Sequence, residues 1–88
     1  MSKKHDRVLA ALLASPVRAG IAWRDVIALF EHFGAEITQA EGSRVLVVLN
    51  GIRAVFHEPH PGKEMSKGAV RAAREFLAEA RIDPPTAR

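Results

Sequence analysis

The stretch Val45-Leu46-Val47-Val48-Leu49-Asn50-Gly51-Ile52-Arg53-Ala54-Val55-Phe56-His57 decides the fold. Two runs rich in β-branched residues flank Asn50-Gly51, a dipeptide that adopts the two left-handed positions of a type I′ turn with little strain, so an antiparallel hairpin is predicted. Side chains of the returning run alternate, with Ile52, Ala54 and Phe56 assigned to the core face and Arg53, Val55 and His57 to the other. The outgoing run, Val45 to Leu49, is apolar throughout, so both of its faces call for cover. Two covers are available. The preferred one is the N-terminal segment around Leu9, Leu12 and Leu13; the other is a second protein chain, including a homodimer formed through this apolar strand face.

Working outward, Glu41-Gly42-Ser43 reads as a turn and Glu36-Ile37-Thr38-Gln39 as a short strand, which makes the sheet three-stranded. Before it, Trp23, Val26, Ile27, Phe30 and Phe33 recur with helical spacing, and Gly34 supplies a left-handed stop. Trp23 is in phase with Phe30 and Phe33, which makes it a core anchor rather than a platform for a base. Lys4 to Ala14 carries Val8, Leu9, Leu12 and Leu13 on an amphipathic helix closed by Ser15-Pro16, and Pro16 to Gly20 reads as a linker. His5 and His32 are taken as surface residues. Downstream, Pro59 and Pro61 bracket His60 in a stiff loop from His57 to Gly62 that cannot extend a central strand. Ser66 is placed to cap a last helix whose stripe is Val70, Ala73, Leu77 and Ala80, with Asp83-Pro84-Pro85 as its stop. The fold class is therefore α+β: α-β-β-β-α with an extra N-terminal helix, the helices on one face of a three-stranded antiparallel sheet. Residues 1–20 form the N-terminal helix and linker, 21–83 the main domain and 84–88 a tail.

Eighty-eight residues support a single core, and 48% hydrophobic with 26% charged residues is a globular composition. With no cysteine, disulfides, cysteine-ligated zinc and thiol nucleophiles are excluded. The net charge is +3; through Gly42 five basic residues balance five acidic ones, and from Ser43 onward eight face five. A polyanionic partner is weakly favoured, and the second half is where it would sit. No run approaches the ~18 apolar residues of a membrane span, so a cytoplasmic protein without membrane attachment is expected.

Lys67, Arg71 and Arg74 fall in one narrow stripe of the last helix, away from its apolar face, with Lys63 just upstream. Such a ridge can follow successive backbone phosphates; the default for a surface helix is a solvated face, in which Arg71 with Glu75, or Glu75 with Glu79, tunes the helix electrostatics. His57 and His60 lie on the proline loop beside it. An imidazole there can take the proton of a ribose 2′-hydroxyl or protonate a departing 5′-oxygen, with Arg44, Lys63 or Lys67 stabilising the phosphate, and without a metal or other cofactor. The plainer alternative is that both histidines hydrogen-bond the loop backbone. Zinc on His57, Glu58 and His60 is disfavoured because the prolines prevent the helical geometry that lets close histidines converge.

Gly42-Ser43 before the hairpin, Asn50-Gly51 at its tip, and His57-Glu58-Pro59-His60-Pro61-Gly62-Lys63-Glu64-Met65 leading through Gly68 into the last helix resemble the HicA family of toxins, from about Trp23 to Ile82. The resemblance implies a double-stranded-RNA-binding-domain-like fold, mRNA interferase activity and neutralisation by a HicB antitoxin. It also implies a catalytic histidine just after the Gly-Ser pair, where this chain has Arg44. A guanidinium stays protonated and cannot serve as a base. Three readings follow: His57 or His60 moves the proton, the chain binds RNA without cutting it, or the toxin is dormant. A protein-interaction module with incidental charge is the remaining alternative.

Overall fold

The computed structural model describes residues 3–59 and 63–82; His60 and the Asp83-Pro84-Pro85 stop lie outside them. In chain order the elements are α1 (Lys3–Leu12), β1 (Ile21–Ala22), α2 (Trp23–His32), β2 (Glu36–Gln39), β3 (Arg44–Leu49), β4 (Ile52–His57), β5 (Glu64–Met65) and α3 (Lys67–Glu79). Strands β2, β3 and β4 form an antiparallel meander, and β1 pairs with β5 in a separate two-stranded ladder. At the hairpin tip Leu49 faces Ile52, and Asn50 and Gly51 have φ of 52° and 79°, the left-handed pair that the turn requires. The run α2-β2-β3-β4-α3 is the double-stranded-RNA-binding-domain-like arrangement.

Helices α2 and α3 cover one face of the meander. Phe30, Phe56 and Phe76, one each from α2, β4 and α3, meet with ring centroids 5.4–5.9 Å apart, and Trp23, buried as expected, lies 6.2 Å from Phe56. These tilted and edge contacts are the favourable geometries of aromatic pairs. Val45, Val47 and Leu49 close the floor, and no polar or charged residue is fully buried among the described residues. The Ser66 hydroxyl caps α3 by accepting the Ala69 N–H at 3.2 Å, and Val70, Ala73, Leu77 and Ala80 are all buried. The helix ends earlier than the proline signal, at Glu79, where Arg81 turns left-handed (φ 63°) and Asn50 Nδ2 donates to the Ala80 carbonyl at 2.8 Å.

Two expectations are corrected and one element is added. First, α1 does not cover the outer sheet face: it packs on α2, α3 and β1, with Leu9 and Leu12 fully buried in the common core. The three short strands leave apolar surface of α2 and α3 uncovered, and the narrow stripe Val8, Leu9, Leu12 closes that side instead. The outer face of β3 and β4 stays open, with Leu46 and Val48 half-buried and Val55 56% exposed. Second, the sequence reading gives no element between the linker and α2 or between the proline loop and α3, where Ile21 pairs with Met65 and Ala22 with Glu64. Backbone bonds from Gly20 N–H to the Met65 carbonyl and from Trp23 N–H to the Lys63 carbonyl, both 2.9 Å, flank this ladder. Two residues carry no periodicity, so only tertiary pairing reveals them. Third, His5 is half-buried on α1, its ring 4.5 Å from that of the exposed His32, because α1 is docked against α2.

Candidate functional site

The meander's register builds the site. Arg44, first residue of β3, lies directly opposite His57, last residue of β4, and the Glu58 N–H donates to the Ser43 carbonyl at 2.7 Å just beyond them. Facing positions on adjacent strands hold their Cβ atoms about 4.5–5.5 Å apart and on the same face. That face is the helix-free one, since Val45 and Phe56, the next pair along, are buried beneath the helices. Both side chains are exposed. Arg44 is steered by the turn before it: its Nε donates to the Glu41 carbonyl at 3.5 Å and its Nη2 lies 3.8 Å from the Glu41 carboxylate, an exposed pair of small energetic weight. A fixed cation and an imidazole thus share one exposed strand end.

Two clefts flank the chain that follows. One, of about 460 Å³, runs between the Val55–Pro59 stretch and the start of α3, where Gly68, Ala69 and Ala72 leave it open, with His57 at its wall. The other, of about 570 Å³, lies between Trp23, Arg24 and Lys63. Glu58, Pro59 and Glu64 line both, so the clefts are neighbours across one narrow divide. Lys63 holds a left-handed φ of 62° while its carbonyl accepts from Trp23, which fixes the point where the proline loop rejoins the fold.

Residues 23–82 match the family described as HicA toxin of bacterial toxin–antitoxin. The chain belongs to the HicA toxin family. No curated protein and no solved structure matches it. The matched span opens at the first residue of α2 and closes just after α3, so the HicA portion contains the meander, the Arg44–His57 pair and every lining residue of both clefts except Ala22, whereas α1 and β1 precede it.

Within this HicA chain the sequence-derived site residues do not all gather at one place. Arg44 and His57 come together, and Lys63 and the exposed Lys67 lie at the two ends of β5. Arg71 is exposed one turn further along α3. Arg74 is half-buried and donates from Nη1 to the Ala14 carbonyl at 3.2 Å, tying α3 to the end of the N-terminal helix. Sequence reasoning missed Arg24, Glu58 and Glu64 as cleft walls. Arg24 stands out of phase with the apolar stripe of its helix, a signal that it faces solvent, but nothing in the spacing places it beside Lys63, which is reached only through the β1–β5 ladder.

Proposed function

We propose that this HicA-family chain binds and cleaves mRNA as a metal-independent endoribonuclease in the cytoplasm, and that a HicB-like antitoxin neutralises it. The observation that carries this reading is the register that sets Arg44 against His57 on the open sheet face. In the step envisaged, the His57 imidazole takes the proton of a ribose 2′-hydroxyl, the freed oxygen attacks the adjacent phosphorus, and the bond from phosphorus to the 5′-oxygen breaks. The products are a 2′,3′-cyclic phosphate and a 5′-hydroxyl end, the latter protonated by the same imidazole or by His60. Arg44, permanently charged, stabilises the negative charge growing on the phosphoryl oxygens. It thereby supports the reaction from the position of the family histidine without replacing its proton transfer. Lys63, Lys67 and Arg71 contact flanking phosphates, with Arg74 adding charge behind them while it holds Ala14.

The same face suits the antitoxin. Val55 and His57 lie two residues apart on β4 and point to the same side, so a protein seated on Leu46, Val48 and Val55 would cover the Arg44–His57 pair. Among the described residues no helix is long and apolar enough to cross a membrane.

Induced expression of the chain in a growing bacterium, alone and with its neighbouring reading frame, tests the reading while intact mRNA is followed. Growth arrest with mRNA loss, relieved by the neighbour, is the expected result. Normal growth and intact mRNA from a soluble, folded protein would leave RNA binding without cleavage, the outcome that Arg44 in place of a base would then explain.

A further inference from the structure

The family-matched span, residues 23–82, is electrically balanced overall, eight basic residues against eight acidic ones. Residues 1–20 hold four Lys and Arg (Lys3, Lys4, Arg7, Arg18) against one acidic residue, Asp6, whereas the rest of the chain holds nine basic and nine acidic residues. Residues 1–20 therefore carry as large an excess, +3, as the half of the chain from Ser43 onward, with residues 21–42 at −3 between them. Three of those cations, Lys4, Arg7 and Arg18, line one cleft of about 380 Å³ between α1 and the Arg18–Ala22 segment. Lys4 is engaged by Asp25 at 3.1 Å. Arg7 and Arg18 are exposed and have no carboxylate within ion-pairing distance among the described residues. Two unneutralised guanidinium groups therefore face a concave site.

This cleft also continues the one beside it. Ala22 lines both it and the Arg24–Lys63 cleft, which in turn shares Glu58, Pro59 and Glu64 with the His57 cleft. The β1–β5 ladder and the bond from Gly20 N–H to the Met65 carbonyl hold the segment carrying Arg18 in register with the proline loop. The middle cleft is electrically balanced, Arg24 and Lys63 against Glu58 and Glu64, so among the linings of these three clefts the excess of cations is at the N-terminal one.

We propose that α1 and the linker form a phosphate-binding arm, in which Arg7 and Arg18 grip the RNA backbone at the far end of a track leading from His57. The proposal rests on the RNA-binding reading above. Guanidinium groups suit the task because they offer forked donors to phosphate oxygens while remaining charged.

The test is fluorescence anisotropy of a labelled single-stranded oligoribonucleotide with 2′-O-methyl riboses, which lacks the attacking hydroxyl, titrated across a potassium chloride series. Wild type, Arg7→Gln/Arg18→Gln and Arg7→Lys/Arg18→Lys are compared, with circular dichroism confirming the fold of each. Loss of two phosphate contacts is expected to flatten the slope of log affinity against log salt by about 1.4, since each contact on a single strand contributes about 0.7. Affinity near 0.1 M salt should then fall on the order of tenfold, and the lysine variant should keep the wild-type slope. A folded double glutamine variant with unchanged slope and affinity would overturn the arm while leaving RNA binding intact. So would that variant losing only its antitoxin, which would assign the arm to an acidic protein surface. A wild type with no salt-dependent affinity would overturn the arm together with the reading beneath it.

Discussion

Asn50 serves two purposes at once. Its backbone takes the left-handed turn position at φ 52°, and its side-chain amide closes the end of α3 by donating to the Ala80 carbonyl thirty residues away. Asn50→Ala forfeits a part-buried hydrogen bond worth about 0.5–1.5 kcal/mol and places a less tolerant residue in a left-handed conformation. A loss of about 1–2 kcal/mol in urea unfolding is expected, and Asn50→Gly should recover only the backbone share, because glycine accepts the turn but cannot reach Ala80. At this scale the sequence was legible wherever an effect is local. Asn50-Gly51 announced the turn, and alternation put His57 on the face away from Phe56. The opposition of Arg44 to His57 follows from that turn once its register is counted back from Leu49 and Ile52. The bonds from Asn50 to Ala80 and from Arg74 to Ala14 were not legible, because they join residues that no periodicity relates.

Among the elements, the helices and the meander could be read because each repeats a pattern over several turns or alternations. The β1–β5 ladder could not, being two residues deep, and the sequence shows α1 as a helix without showing that it packs on α2, α3 and β1. Its apolar stripe says that a face must be buried and not against what. Leu12 settles its standing: it is fully buried although it lies outside the HicA span. Leu12→Ala should therefore cost about 2–5 kcal/mol, as a large-to-small change in a closed core does, a large share of the stability of an 88-residue domain. Leu13, only half-buried, should cost clearly less on the same change. Equal, small losses in denaturant unfolding would mean that α1 is a detachable appendage.

For the whole molecule, one face of the meander is packed by helices and the other is not, and the cation–imidazole pair and the apolar patch share the open one. Val55 sits at the centre of that arrangement, paired with Leu46. Val55→Glu should leave stability within about 0.5 kcal/mol, as for other exposed sites, while weakening capture by the antitoxin, measured by calorimetry with the purified partner. If the variant instead binds antitoxin normally but loses self-association in sedimentation, the patch serves a homodimer.

Cleavage of RNA at the open strand end is the reaction proposed for the Arg44–His57 pair. Purified wild type, His57→Ala and His60→Ala should be incubated with a 5′-labelled mRNA fragment in the presence of a chelator, and the product ends identified. Fragments ending in a 2′,3′-cyclic phosphate from the wild type, and none from His57→Ala at unchanged RNA affinity, are the expected result. Undiminished cleavage by both histidine variants, or intact RNA with folded wild type, would contradict it.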